Sequence, residues 1–312
     1  MPQERNESLI YRTFCFAVPV FLRSPVASLP RLRSLIGLLL CGMVLAACTP
    51  QAPGGMELLR VSDETSTSVI DNTPWEHFLQ TYVTVRKHNS NLVRYADVTP
   101  EDKAVLDAYV SYLQTVPITT MNRDEQLAFW MNLYNAATVK TVLEHWPVQS
   151  ILDIHISPGR KNYGPWGLKM LMVEGHSLAL ENIEHHILRE MFADADPKVH
   201  YGLNCASMGC PSLIPHAITG ANWRTLLTEN ARDFVNSPHG VDFPRPGMMA
   251  VSKIYHSWFQ SDFGGNEESV VEHLLKYAEP KKAKEIKRCA GISSDFYDWR
   301  LNSPSMLTKE GR

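Results

Sequence analysis

The sequence predicts an α+β fold, a single mixed domain in which a buried central helix packs on a small sheet. The predicted helices are long and unequal, and the predicted strands are short and do not alternate with them in a regular βαβ order. The part of the chain that follows the last linker-like segment is about 230 residues long, which suits one large domain. No internal repeat and no second linker divides it.

Apolar spacing, together with helix start and stop residues, predicts the helices. The first follows the apolar spacing from Trp75 to Val83. The others are predicted at residues 100–115, 123–145, 181–191, 222–236 and 266–288, the last with a break at Pro280. The middle turns of helix 123–145 are apolar on nearly every side, so this helix is expected in the core.

Short apolar or alternating segments predict the strands. They are a short strand at Leu92–Tyr95 and strands at residues 168–173, 176–180, 198–204 and 294–301. The strands 168–173 and 176–180 are expected to form a hairpin around Glu174-Gly175. In the strand 198–204, His200 and Asn204 would face one side of the sheet, and the apolar residues between them would face the other.

The N-terminus, residues 1–47, is predicted to be a leader with a lipoprotein signal peptide. The basic Arg31 and Arg33 precede an apolar run, Leu35–Val44, which is followed by Leu45-Ala-Ala-Cys48. This pattern resembles the lipobox of bacterial lipoproteins, and the apolar run is shorter than the about 20 residues that span a bilayer. Cys48 is therefore the predicted lipidation site.

The predicted anchor also indicates a location. Acyl chains such as palmitate on Cys48 would attach the protein to a membrane. Thr49 follows in place of the aspartate that often retains lipoproteins in the inner membrane, so we expect a periplasm-facing protein of the cell envelope, with the outer membrane favoured. Residues 48–72 are rich in Pro, Gly, Ser and Thr and are predicted to be a flexible tether. The globular domain is then expected at residues 73–304 and a tail at residues 305–312.

The charge of the chain argues against nucleic acid as a partner. Without residues 1–48 the chain carries 25 Lys and Arg against 31 Asp and Glu, a net charge of −6. An acidic surface of this kind repels a phosphate backbone. The expected partners are the membrane, through Cys48, and an unidentified protein or small molecule.

Reactive side chains are most dense in the segment His200–Pro211, which contains Asn204 and the two thiols Cys205 and Cys210. This segment resembles the bacterial branch of the domain-of-unknown-function family 547. The resemblance extends to three further motifs: Phe129-Trp-Met-Asn-Leu-Tyr-Asn-Ala136, Ile183-Glu-His185 and Tyr297-Asp-Trp-Arg-Leu-Asn302. It covers most of the predicted domain and implies no established reaction.

Glu184 is the first candidate for a functional side chain outside that segment. At 100° per residue it falls inside the apolar arc of helix 181–191, so its carboxylate is expected to be buried and paired, hydrogen-bonded or protonated. The expected partner is the imidazole of His200, or Arg300 in a structural ion pair. His185 is expected to project towards the polar side.

Asn132 and Asn135 lie on one face of the predicted central helix and become interior amides. They either hold nearby loop backbone, or line a substrate cleft or orient a catalytic histidine. Together with His185 and Asn204 they are predicted as binding residues. A buried helix followed by a strand that begins with histidine is similar to papain-like and transglutaminase-like folds, in which Asn132 would take the place of the cysteine.

Three hypotheses account for Cys205 and Cys210. Cys205 could be a nucleophile with a histidine base, Glu184 as orienter and amides near Ser207–Gly209 as oxyanion donors. In a straight strand, however, the α-carbons of His200 and Cys205 lie about 16 Å apart and the side chains start on opposite faces. The two thiols could instead form a disulfide in an oxidising periplasm. Zinc is the third hypothesis, but no second pair of ligands is visible, so no metal and no cofactor is predicted.

These observations predict a lipid-anchored envelope protein with a ligand- or partner-binding domain, whose cleft contains histidine, cysteine and glutamate side chains. The alternative is a thiol-dependent hydrolase or acyl transferase that uses Cys205, with His200 and Glu184 as further catalytic residues. The redox state and the neighbours of Cys205 distinguish the two functions.

Overall fold

Residues 59, 61–190 and 197–309 are described by the computed structural model. They form a single domain with several helices and small sheets, which confirms the predicted α+β class. The predicted signal peptide and the lipidation site Cys48 lie outside these residues. Within the described ranges, no helix has the length and apolar character needed to cross a membrane.

Apart from the helix predicted at residues 181–191, the predicted helices are confirmed as α-helices to within two residues at their ends. They are α1 (Thr73–Tyr82), α2 (Pro100–Leu113), α3 (Arg123–Glu144), α4 (Trp223–Asn236), α5 (Glu267–Tyr277) and α6 (Pro280–Ile286). The break predicted at Pro280 separates α5 from α6, because proline is accepted in the first turn of a helix and not in its interior. The side chains of Thr99 and Asn122 cap α2 and α3 by accepting backbone N–H groups.

The strands are short and form separate sheets. They are β1 (Val83–Thr84), β2 (Leu92–Val93), β3 (Leu171–Val173), β4 (His176–Leu178), β5 (Val241–Arg245), β6 (Met248–Ser252) and β7 (Ile292–Phe296). β1 pairs with β2 and β3 with β4, both antiparallel, while β6 pairs antiparallel with β5 and parallel with β7. The hairpin predicted around Glu174-Gly175 is confirmed, and both turn residues have positive φ.

The core has two clusters of buried side chains. α3 is the centre of the larger cluster and packs mainly against α2 and the helical segment Asn182–Arg189. The three-stranded sheet β5–β6–β7 belongs to the second cluster, where its apolar side chains meet those of α4 and α5. The central helix is therefore buried as expected, but its main contacts are with helices and not with a sheet.

The segment Asn182–Arg189 is a π-helix and not the predicted α-helix. A π-helix closes each turn with an i→i+5 hydrogen bond, so successive residues are separated by less than the 100° of an α-helix. This geometry moves Glu184 from inside the apolar arc to its edge, beside the buried Ile183 and Leu188. Glu184 is consequently half-buried instead of fully buried.

The strand predicted at residues 198–204 is wrong, since His200 lies on a 3₁₀-helix, Pro197–Tyr201. Pro197 fixes a helical φ at its first residue. Amide side chains from other helices take the place of a neighbouring strand: Asn230 donates to the Tyr201 carbonyl at 2.7 Å, and Asn135 binds the backbone on either side of Leu203. The similarity to papain-like folds loses the strand on which it depended.

Part of the predicted tether, residues 61–72, lies against the domain. The Ile70 N–H donates to the buried Glu125 carboxylate at 2.9 Å, and Gln126 donates to the Val61 carbonyl at 2.7 Å. Ile70 itself is buried. The polar composition of this segment suggested a free linker, but two side chains near the start of α3 form hydrogen bonds with its backbone.

Candidate functional site

A cavity of about 600 Å³, called the cleft below, lies between the π-helix Asn182–Arg189, the 3₁₀-helix Pro197–Tyr201 and a second π-helical segment, Ile254–Trp258. Its lining combines aromatic rings, titratable groups and both thiols: Tyr134, Tyr163, Trp166, Glu184, His185, His200, Cys205, Cys210, Trp258, Phe259, Tyr297 and Trp299. The catalytic candidates predicted from the sequence thus share one cavity. Of the predicted binding residues, His185 lines it and the three asparagines do not.

Five of these rings, Trp166, Trp258, Phe259, Tyr297 and Trp299, form what we call the aromatic wall. The ring centroids of Trp258 and Tyr297 are 4.6 Å apart, and that of Trp299 lies 5.7 Å from Trp258 and 5.9 Å from Trp166. Such tilted and edge-on contacts fix the rings against each other. Trp258 remains 38% exposed, so the wall reaches the protein surface.

The two thiols lie at the ends of a tight turn, Cys205–Cys210. Asn204 shapes this turn: its Oδ1 accepts the Ala206 N–H at 2.9 Å, and its Nδ2 donates to the Pro211 carbonyl at 2.8 Å. Ala206 has φ of 59°, a left-handed conformation that is unusual for a residue with a side chain. Asn204 therefore acts on the backbone of the thiol turn.

The C-terminal motif 297–302 supports the same turn. Met208 and Gly209 donate their N–H groups to the carbonyls of Arg300 and Asp298, at 2.8 and 2.9 Å. A Cβ atom on Gly209 would lie 2.7 Å from the Asp298 nitrogen, so this close approach requires glycine. The motif that carries part of the family resemblance thus holds the backbone of the thiol turn by hydrogen bonds.

The sulfur atoms of Cys205 and Cys210 are neighbours. They lie 2.8 Å apart, and the Cys205 N–H donates to the Cys210 sulfur at 3.1 Å. The Tyr297 hydroxyl lies 3.0 Å from the Cys205 sulfur and 3.1 Å from that of Cys210, and the Ser207 hydroxyl lies 3.2 Å from Cys205. No disulfide joins the two cysteines in the structure, and they are 9% and 7% exposed.

The surroundings of the two thiols shift their pKa values in opposite directions. Burial alone would raise the pKa of Cys205, but hydrogen bonds with Cys210, Ser207 and Tyr297 outweigh burial and lower it below the usual thiol value. Burial and the adjacent Cys205 sulfur raise the pKa of Cys210 well above that value. Cys205 is therefore the more acidic thiol of the pair.

His200 is paired with Asp262 and not, as predicted, with Glu184. Its Nε2 lies 2.9 Å from the Asp262 carboxylate, which also accepts two hydrogen bonds from Arg189 at 2.6 and 2.9 Å. Burial would raise the pKa of Asp262, but the bonds from Arg189 and His200 lower it far below the ordinary value. The Phe259 ring stacks on the imidazole at a centroid distance of 4.7 Å and holds it against the cleft.

His185 belongs to the same network. Its Nδ1 accepts a hydrogen bond from Arg189 at 3.3 Å, which leaves the proton of the neutral ring on Nε2. The Arg189 guanidinium also lies over the Phe259 ring at 4.5 Å. One arginine thus positions both histidines of the cleft, His185 directly and His200 through Asp262.

Glu184 contacts a phenol and not the predicted basic or imidazole group. Tyr134 donates its hydroxyl to the carboxylate at 2.9 Å, and Trp166 Nε1 donates to the Tyr134 oxygen at 3.2 Å. Burial and the charge of Glu184 raise the pKa of Tyr134 well above its ordinary value, so the phenol remains a donor. Arg300, the alternative partner expected from the sequence, forms its ion pair with Asp298.

Asn132 and Asn135 hold loop backbone. Asn132 donates to the Ile218 carbonyl at 2.6 Å and accepts the Ile218 N–H at 3.1 Å. Asn135 makes the same pair of bonds with Gly202 and Asn204, at 2.8 and 2.9 Å. Of the two roles that the sequence left open for these amides, the geometry favours the support of loops.

The geometry gives little support to a thiol hydrolase. The hydrogen-bond partners of the Cys205 sulfur in the described ranges are Cys210, Ser207 and Tyr297, and none of them is an imidazole. The amides of Met208 and Gly209, which the sequence suggested as oxyanion donors, already donate to backbone carbonyls. Histidine base and oxyanion site are therefore not assembled around Cys205.

Sequence reasoning missed Asp262, Tyr134 and the contact of the Tyr297 hydroxyl with both thiols. Asp262 is 62 positions from His200, and nothing in its neighbours marks it. Tyr134 and Tyr297 lie in two of the motifs that carry the family resemblance, but a motif does not identify the partner of a side chain. Among the described side chains no group of three His, Cys, Asp or Glu forms a metal site.

The site thus defines an α+β domain with an aromatic cleft and a pair of thiols in its wall. Residues 118–235 match the model of the family described as "Protein of unknown function, DUF547". This match supports the family resemblance drawn from the motifs and covers α3, the π-helix Asn182–Arg189 and the thiol turn. No curated protein and no solved structure matches the chain.

Proposed function

We propose that this protein binds a small organic cation in the cleft and is held at the cell envelope by a lipid anchor at Cys48. The observation that carries the binding proposal is the carboxylate of Glu184, which lies among aromatic rings and has no basic ion-pair partner among the described residues. An ammonium group would supply the missing charge.

Charge balance inside the cleft supports a cation. Asp262 is neutralised by Arg189, which contacts both of its oxygen atoms. Among the described residues Glu184 has one hydrogen-bond partner, the neutral hydroxyl of Tyr134, and the charge of Arg189, which also acts on it, is already paired with Asp262. A half-buried carboxylate in this position is incompletely compensated. The net charge of −6 behind Cys48 also favours the approach of a positive ligand over a negative one.

The aromatic wall supports a cation with an apolar body. Ring faces attract ammonium groups, by about 0.5–2 kcal/mol for each well-placed ring. The cleft holds about 600 Å³, which is the size of a small-molecule site. Hydrogen bonds from Trp166 to Tyr134 and from Tyr134 to Glu184 fix the carboxylate at one end of these rings.

The lipobox pattern supports the anchoring proposal. An acylated Cys48 would keep the domain at a membrane surface, and the segment between Cys48 and α1 would place it facing the periplasm. The ligand would then be a small amine or quaternary ammonium compound of the extracytoplasmic space.

Choline and 3,3-dimethylbutan-1-ol test the binding proposal, because they share one shape and differ in charge. The full chain is titrated with each at pH 7, and tryptophan fluorescence reports occupation of the aromatic wall. We expect saturable binding of choline at least ten times tighter than that of the neutral alcohol, which corresponds to about 1.4 kcal/mol.

Two variants complete the test. Glu184→Gln keeps the shape and the hydrogen-bond acceptor but removes the charge, and it should weaken choline binding about tenfold while leaving the alcohol unaffected. Glu190→Gln removes an exposed charge immediately after the last residue of the same helix and should change neither affinity. Equal affinity for both compounds, or choline binding that Glu184→Gln leaves intact, would contradict the proposal.

A further inference from the structure

We propose that Cys205 and Cys210 are a redox-active pair that undergoes thiol–disulfide exchange with small organic disulfides in the cleft. This activity goes beyond ligand binding and uses neither the charge of Glu184 nor a cation. It also differs from a permanent structural disulfide, because the pair must exist in both redox states.

The position of the pair is the first argument. The two sulfur atoms are 2.8 Å apart, so a bond between them needs only a small local movement. Both residues line the cleft, whereas Cys289, the remaining cysteine of the described ranges, lies outside it and bonds to the Glu285 carbonyl. A molecule in the cleft therefore meets the pair directly.

The rigidity of the turn is the second argument. Asn204 binds both ends of the turn, and the Asn302 amide donates to Asn204 at 3.1 Å. The Asn302 N–H donates to the Ala206 carbonyl at 3.0 Å. These bonds hold the backbone independently of the sulfur atoms, so the turn needs no disulfide to keep its shape.

The two thiols have different surroundings, which assigns their roles. The Ser207 and Tyr297 hydroxyls lie 3.2 and 3.0 Å from the Cys205 sulfur, and hydrogen bonds lower the pKa of this thiol. Ser207 has no such contact with the Cys210 sulfur, and burial and the adjacent Cys205 raise the pKa of Cys210. Cys205 is then the attacking sulfur and Cys210 the resolving one. The Tyr297 hydroxyl, within 3.1 Å of both sulfurs, can donate its single proton to whichever carries the negative charge.

The reaction has two displacement steps. The Cys205 thiolate attacks one sulfur of the small disulfide, forms a mixed disulfide and expels a thiolate. The Cys210 thiol then attacks the Cys205 sulfur, forms the Cys205–Cys210 bond and expels the second thiolate. One proton comes from Cys210 and one from solvent, so the small disulfide gains two electrons and leaves as two thiols.

The exposure of the sulfurs sets the substrate class. Cys205 and Cys210 are 9% and 7% exposed and line the cleft. A disulfide on the surface of a folded protein cannot enter a cavity of about 600 Å³, whereas a disulfide with two short organic arms can. We therefore assign low-molecular-weight disulfides as substrates.

The test uses 2-hydroxyethyl disulfide, which is neutral and therefore independent of the proposed cation site. The full chain is reduced with dithiothreitol, freed of it and mixed with the probe at pH 7, and peptide mass spectrometry follows each cysteine. A thiol with a pKa of about 8.5 is about 3% ionised at pH 7, so ionisation can accelerate attack by at most about 30-fold. We expect Cys205 to react at least ten times faster than Cys289, and the Cys205–Cys210 bond to be the product.

Serine variants separate the two steps. In Cys210→Ser the reaction should stop at a mixed disulfide on Cys205. In Cys205→Ser the remaining thiol of the pair, Cys210, should react no faster than Cys289, and Cys289→Ser should behave as the wild type. Far-ultraviolet circular dichroism shows that each variant is folded. An adduct that forms preferentially on Cys210, or equal rates at Cys205 and Cys289, would overturn the assignment.

Two further outcomes bear on the proposal. A Cys205–Cys210 bond that millimolar dithiothreitol cannot reduce in the folded protein would also overturn it, because it would then be structural. In Glu184→Gln, exchange should be at least as fast as in the wild type, since the Glu184 charge opposes the Cys205 thiolate. Loss of choline binding with exchange retained would thus separate this proposal from the binding proposal.

Discussion

Replacing Asp262 with asparagine is expected to lower the free energy of unfolding by about 3 kcal/mol at pH 7. The carboxylate accepts two hydrogen bonds from Arg189 and one from His200, and the side chains of Asp262 and Arg189 are each 22% exposed. Asparagine removes the charge and turns one acceptor into a donor that faces the guanidinium. It should therefore break at least one charge-assisted bond and leave Arg189 partly unpaired.

The size of this effect follows from burial and not from the number of bonds. Asp124 and Arg224 form the same bidentate pair at 2.6 and 2.9 Å, but their side chains are 39% and 62% exposed. Solvent-exposed pairs contribute about 0–1 kcal/mol. Asp124→Asn is thus a matched control, which should cost less than about 1 kcal/mol.

The pH dependence gives a second measurement of the same pair. The pKa of Asp262 is lowered in the folded protein, so its stabilising effect is complete above the unfolded value of about 3.9 and is lost as the pH falls below it. As the pH falls, the carboxyl group of Asp262 takes up a proton in the unfolded state before it does so in the folded state. The free energy of unfolding therefore decreases by about 1.4 kcal/mol for each pH unit. The difference between wild type and Asp262→Asn should shrink from about 3 kcal/mol at pH 7 to about 2 kcal/mol at pH 3.

Urea unfolding of both variants and the wild type, followed by tryptophan fluorescence and circular dichroism, measures these differences. Equal costs for Asp262→Asn and Asp124→Asn would refute the argument that burial determines the strength of the pair. A difference that does not narrow below pH 4 would refute the lowered pKa.

Three further predictions follow from the same contacts. Asn135→Ala removes both side-chain hydrogen bonds to the loop and leaves the buried Gly202 carbonyl and Asn204 N–H unpaired, so the free energy of unfolding in urea should fall by about 2–4 kcal/mol. A decrease below about 0.5 kcal/mol would contradict this role of Asn135. Gly209→Ala places a methyl group 2.7 Å from the Asp298 nitrogen and should cost about 1–3 kcal/mol in thermal unfolding, whereas an unchanged midpoint would mean that the turn adapts freely. Cys48→Ser should abolish metabolic labelling with palmitate and release the protein from the membrane fraction, and retained labelling would exclude Cys48 as the anchor.

Local patterns in the sequence were sufficient for the α-helices and for the hairpin of β3 and β4. α3 is apolar on nearly every side, and the residue before it, Asn122, is a strong N-cap, so its burial and its start can be predicted without a structure. Glu174-Gly175 between two apolar segments marks the turn of the hairpin. The sequence also brings Cys205 and Cys210 to one short segment, because four residues separate them.

The partners within the cleft could not be predicted in the same way. His200 pairs with Asp262, which is 62 positions away in the chain. The alternation of residues 198–204 suggested a strand, but the backbone there forms hydrogen bonds with the side-chain amides of Asn135 on α3 and Asn230 on α4. Periodicity describes which side of an element is apolar, but it does not identify the group that satisfies a polar atom on that side.

The composition and spacing of the residues thus determined the fold class, the helices and which segment carries the reactive groups. The tertiary structure decided what those groups contact. The π-helix placed Glu184 at the edge of the cleft beside Tyr134, and the C-terminal motif closed the turn that brings the two sulfurs together. The physical reason is range: helix propensity and hairpin turns act between near neighbours in the chain, whereas charge pairing and hydrogen bonding in a cleft join residues that only the packed core brings together.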